Sequence, residues 1–109
     1  MHFKDFVDGY IDDLIKAQQN LDISTLEKIS LHIKDAVENK NKIFLIGNGG
    51  SSATPSHSAG DFSKELGAKV FCLTDNIPSL TAWANDTNYD NIFLGPLKIS
   101  LNADDLVFA

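Results

Sequence analysis

The sequence predicts an α/β fold, a doubly wound parallel sheet preceded by two helices. Three observations carry this. Amphipathic stretches fill residues 3–39, short and almost wholly apolar runs recur at 42–46 and 69–73, and the segments between those runs read as helices. Strands covered by helices on both faces are apolar throughout rather than alternating, and Lys42-Ile43-Phe44-Leu45-Ile46 has that form. Right-handed crossovers then place the turn after the first strand at the carboxyl edge of the sheet, where ligands of such folds bind.

Taken in order, Phe6, Val7, Tyr10, Ile11, Leu14 and Ile15 fall at three-and-four spacing and make one stripe of a first helix. Ser24 with Glu27 reads as a capping box, and Leu26, Ile29, Ile33 and Val37 mark a second helix ending near Asn39. After the strand at 42–46 comes a glycine and serine turn. Residues 53–66 then read as a helix closed by Gly67 at its C′ position, with Ser52 as N-cap, because Pro55 would then be the third helical residue and its missing N–H would cost no bond. Lys69–Leu73 is the second strand, Pro78–Ala84 a short helix opened by proline, Ile92–Leu101 a helix that Pro96 threatens to break, and Asp105–Ala109 the start of a third strand. About three strands make an incomplete sheet for this layout, so a piece of a longer protein is expected: residues 1–40 a helical pair, 41–109 the first, truncated part of the α/β domain.

Composition narrows the function. The chain has 109 residues, 43% of them apolar, and a formal charge of −6 with nine lysines and no arginine, which argues against nucleic acid as a partner. A bound phosphate must therefore rely on backbone N–H groups, hydroxyls and helix ends rather than on a guanidinium clamp. Cys72, the lone cysteine, lies in an apolar run and reads as core. The N-terminus lacks a signal-peptide pattern and no stretch is apolar enough to span a bilayer, so a cytoplasmic location with no membrane partner is expected.

The turn Gly47-Asn48-Gly49-Gly50-Ser51-Ser52, between a strand and a helix, offers N–H groups at a positive helix end and so fits an anion, above all a phosphate. It is not a Walker loop, since no lysine occurs between Lys42 and Lys64, and it fails the dinucleotide fingerprint because Ser52 stands where the third glycine belongs. A nucleotide or other organic cofactor is not expected. Three glycines and two serines exceed what a bare connection needs, and the Ser51 hydroxyl is left to face a ligand. His57 and Asp61, four apart on the following helix, share one face. Spacing alone makes them an ordinary exposed pair, but beside the glycine turn they read as base and acid, or as two ligands of a zinc ion. Thr74-Asp75-Asn76 and Asn85-Asp86 are polar groups at the active edge that serve equally as sugar contacts or turn formers, while Trp83 and Phe93 read as core.

Together these motifs resemble the SIS (sugar isomerase) domain, specifically its phosphoheptose isomerase branch: two leading helices, Gly47-Asn48-Gly49-Gly50-Ser51, His57, Cys72-Leu73-Thr74-Asp75-Asn76, then Trp83-Ala84-Asn85-Asp86 before Ile92-Phe93. The resemblance implies a flavodoxin-like sheet and an aldose–ketose isomerase that converts D-sedoheptulose 7-phosphate to D-glycero-D-manno-heptose 7-phosphate, the opening step toward bacterial surface sugars of lipopolysaccharide or capsule. It further implies substrate contacts at Asn48, Gly49, Gly50, Ser51 and Asp86, proton transfer by Asp61 with His57, zinc on His57 and Asp61 in some members, and a homotetramer built on the N-terminal helices. Two departures stand out. Asp61 replaces the usual Glu, one methylene shorter, and Thr54-Pro55 replaces Asp-Ala before the histidine helix. The family's second serine-rich loop and a C-terminal histidine lie beyond Ala109, so this segment alone is expected to be inactive. The rival expectation is a non-catalytic SIS module that binds a phosphosugar or a regulatory partner.

Overall fold

A computed structural model describes all residues, Met1–Ala109. They form two compact units, Met1–Ser30 and Leu31–Ala109. The first holds α1 (Phe3–Gln19) and the opening turns of α2 (Ile23–Glu38), which runs across the division. The apolar stripe read from the sequence is on α1, yet α1 buries none of its residues: Phe6, Tyr10, Ile11, Leu14 and Ile15 all remain exposed. The second helix starts one residue before Ser24, because Asp22 and not Ser24 caps it. Asp22 accepts from the Thr25 backbone N–H (3.2 Å), the Thr25 hydroxyl (2.7 Å) and the Ser24 hydroxyl (2.9 Å), and a carboxylate that takes three donors outcompetes a single serine hydroxyl. The Thr25 hydroxyl, followed by that of Ser24, holds the Asp22 carboxyl below its ordinary range.

The second unit is built on three parallel strands, β1 (Lys42–Leu45), β2 (Lys69–Cys72) and β3 (Leu106–Phe108), in the order β2-β1-β3. Ile43 pairs with Val70 on one side and Leu106 on the other. β1 is central and buried, as its apolar run requires; Ile43 is only 1% exposed. Ile43, Leu45, Val70 and Cys72 join Ala36 of α2 and Ala59 of the following helix in one core layer, with Ile33, Val37 and Phe62 packed around them. Phe44 and Phe71 meet on the opposite face with ring centroids 5.8 Å apart. β2 is less enclosed than a doubly covered strand: Lys69 and Phe71 are exposed while Val70 and Cys72 are buried, the alternation of an edge strand.

Three helices follow β1. α3 (Gly50–Leu66) starts three residues earlier than its proline implied, with Gly49 and not Ser52 at the N-cap, and ends at Gly67 in the left-handed conformation. Pro55 is thus well inside the helix, and the carbonyl of Ser51, four residues before it, lacks its regular i+4 N–H donor. That oxygen lies against Gly47, where an added Cβ would approach it to 1.9 Å. β2 gives way to a short 3-10 turn, Leu73–Asp75, one residue sooner than expected. α4 (Ile77–Asp86) is capped by the Asn76 side chain on Ser79 N–H at 3.2 Å, so Asn76 is a cap rather than a ligand group. α5 (Asn91–Ser100) continues unbroken through Pro96. Gly95, buried, allows this helix to touch Trp83 of α4: a Cβ there would lie 2.6 Å from the indole. Lys42 and Asp105 fasten β1 to the segment before β3, by the Lys42 N–H at 2.8 Å and its ammonium at 3.0 Å. No helix is long and apolar enough to cross a membrane.

Candidate active site at the carboxyl edge

The chain leaves β1 for β2 on one side and later returns past it to β3 on the other, so the strand order reverses between β1 and β3. A crevice opens at such a switch point, beyond the carboxyl ends. The N–H of Ile46 bonds the carbonyl of Phe108 at 2.9 Å there, and the glycine turn begins at the next residue. Gly49 has φ +56° and ψ −124°, a backbone open to glycine and strained for any other residue.

The donors in this turn are fewer than the sequence implied. Ser51 N–H is spent on Asn48 carbonyl and Ser52 N–H on Gly49 carbonyl, both at 3.0 Å, and the Ser52 hydroxyl also returns to Gly49 carbonyl at 2.7 Å. The N–H groups of Gly49 and Gly50 have no acceptor, and neither does the Ser51 hydroxyl, which is exposed. These three donors lie at the N-terminus of a 17-residue helix with no acidic residue in its first turn, so the helix dipole favours an anion without opposition. Asn48 Oδ1 accepts from the Tyr89 hydroxyl at 2.5 Å.

His57 and Asp61 are brought together as their spacing required: Nε2 and Oδ2 are 3.1 Å apart, with side chains 80% and 61% exposed. The pair has the donor chemistry of a zinc site but not its number. A zinc centre takes three or four protein ligands, and no group of three His, Cys, Asp or Glu side chains exists in the chain, so these residues alone do not hold the metal. Asp86 ends α4, accepts from Asn85 Nδ2 at 3.0 Å and bonds neither the glycine turn nor the His57–Asp61 pair.

Two features escaped the sequence. Tyr89 reaches Asn48 across 41 residues, and Ser56 of α3 donates to Asp75 at 2.6 Å, pinning the histidine helix to the 3-10 turn after β2. Neither carries a local pattern. A cavity of about 860 Å³ is lined in part by Phe44, Phe71, Trp83, Pro96 and Ile99 and by none of the seven candidate residues. Residues of α3, including Ser63, and the polar side chains of Asp75, Ser79 and Ser100 also line it, so it lies apart from the glycine turn and among α3, α4, α5 and the strand ends.

No family model matches the chain. Among curated proteins it is 36% identical over 103 residues to a protein of Thermoplasma volcanium named "Probable phosphoheptose isomerase", covering 90% of this chain and 53% of that one. It is also 36% identical over 97 residues to phosphoheptose isomerase 2 of Campylobacter jejuni, covering 84% and 47%. The solved structure of phosphoheptose isomerase GmhA from Neisseria gonorrhoeae superposes with a TM-score of 0.87 at 25% identity, over 97% of this chain and 59% of that chain. The chain spans about half the length of the curated relatives it matches. In sequence and in fold it is a relative of the phosphoheptose isomerases, SIS-type proteins, over that half.

Proposed function

We propose that this chain forms the glycine-turn half of a cytoplasmic phosphosugar aldose–ketose isomerase acting on D-sedoheptulose 7-phosphate. The observation that supports this most directly is the set of unpaired donors, Gly49 N–H, Gly50 N–H and the Ser51 hydroxyl, at the start of α3 and on the same helix as the His57–Asp61 pair. Asn48 and Asp86 complete the sugar contacts. Moving a carbonyl between adjacent carbons removes one proton and returns another through an enediol with oxyanion character. Asp61 carries that proton and His57, beside it, polarises the sugar oxygens, while phosphate anchoring supplies binding energy for orientation. A zinc ion on His57 and Asp61 would need a further ligand from outside these 109 residues. Residues 1–40 act as the helical pair through which a homotetramer assembles, their exposed apolar stripe being the contact surface.

The test is turnover of sedoheptulose 7-phosphate by the full-length protein. Asp61→Asn is expected to lower kcat by at least about a hundredfold, as loss of a positioned proton-transfer group does. Full activity of that variant would remove Asp61 from the mechanism. Tight binding of the sugar with no turnover by the wild type would instead favour the non-catalytic phosphosugar module, a reading that gains weight from Asp61 being one methylene shorter than Glu. The 109-residue chain by itself is expected to be inactive.

A further inference from the structure

We infer that Tyr89 is a positioning residue for the glycine turn: its phenol holds the Asn48 carboxamide by the oxygen, so that only the Asn48 amide N–H groups face a phosphorylated ligand. This rests on the phosphosugar reading above. A free carboxamide presents either end, and its oxygen would repel an anion that its nitrogen attracts. With Oδ1 taken by the Tyr89 hydroxyl at 2.5 Å, the oxygen is occupied and the nitrogen is left without a partner. The donors the turn offers are then Asn48 Nδ2, the Gly49 and Gly50 N–H groups and the Ser51 hydroxyl.

The same bond joins two pieces of the site between which there is no other hydrogen bond. Tyr89 follows Asp86 by three residues, in the turn between α4 and α5, and the glycine turn follows β1. Bonds between side chains of distant segments are scarce here; besides this one there are only Lys42 with Asp105 and Ser56 with Asp75. Tyr89 is exposed, so its hydroxyl has water as an alternative, and its choice of Asn48 orders the turn without strengthening a core.

The experiment is calorimetric titration of the full-length protein with sedoheptulose 7-phosphate, for wild type, Tyr89→Phe, Asn48→Ala and the double variant. Tyr89→Phe is expected to weaken binding about three- to tenfold, the scale of one net hydrogen bond, with the thermal unfolding midpoint unchanged. In the Asn48→Ala background it is expected to add nothing, because it acts through Asn48. Undiminished binding by Tyr89→Phe, or additive losses, would overturn the inference and leave the phosphosugar reading standing. If the wild type takes up no phosphosugar, that reading fails, and the Asn48 side-chain amide NMR signals decide the role of Tyr89. Their collapse to free-carboxamide positions in Tyr89→Phe supports it and unchanged signals overturn it.

Discussion

Gly47 is fixed by contact rather than by torsion. Its neighbour is the Ser51 carbonyl, a backbone atom that cannot swing aside, so Gly47→Ala must displace the start of α3. The expected cost is about 1 to 3 kcal/mol by urea unfolding, with weaker phosphosugar binding because the donors of the turn move with the helix. Gly49→Ala meets no neighbour and fails for the other reason, its positive φ. Asp105 carries the acid sensitivity of the sheet. Its side chain is 3% exposed; burial works against its charge, but the N–H groups of Asn102 and Lys42 and the Lys42 ammonium outweigh that and hold the carboxyl below its ordinary value of 3.8. A carboxyl depressed on folding stabilises the protein above its unfolded pKa, and the stabilisation is lost as pH falls through the folded pKa. Asp105→Asn is therefore expected to cost about 1 to 2 kcal/mol at neutral pH, and the gap to wild type should close as acid unfolding is followed below about pH 4.

At the scale of elements, α2 is held at its start by one side chain. Asp22→Ala is expected to lower the unfolding midpoint more than Ser24→Ala, since Asp22 is the acceptor for both the Ser24 and Thr25 hydroxyls; equal effects would return the cap to Ser24. The α4–α5 contact is set by Gly95, and Gly95→Ala should push the single Trp83 toward the adjoining cavity, costing about 1 to 3 kcal/mol and shifting tryptophan emission. Most elements were legible because periodicity is local: the stripes of α1 and α2, the apolar run of β1 and the closing Gly67 all announce themselves within a few residues. The errors share a cause. Ser24, Ser52 and Pro55 announce caps and breaks by single-residue preference, and neighbours within four positions decide otherwise, Asp22 collecting three donors from Ser24 and Thr25 and Gly47 leaving room for the Ser51 carbonyl. In the candidate site, the His57–Asp61 pair was legible from spacing and the glycine turn from composition. Tyr89 and Ser56 were not, since their partners are remote in sequence and no one-dimensional pattern links them.

At the scale of the molecule, the apolar stripe of the first unit remains to be covered. Charged substitutions at Phe6 and Ile11, both exposed on α1, are expected to reduce the sedimenting species of the full-length protein to smaller assemblies while the circular dichroism of the α/β part is retained; an unchanged assembly would remove this face from the proposed tetramer. The pairing of β1 with β3 carries another implication, one of timing. The middle strand of the three is made before either neighbour, and the one that closes its second side is translated some sixty residues later, Ile43 against Leu106. Until those residues leave the ribosome, a hydrophobic ribbon with an open hydrogen-bonding rim waits in the nascent polypeptide, and a chaperone that shields such ribbons would find its natural client in that interval.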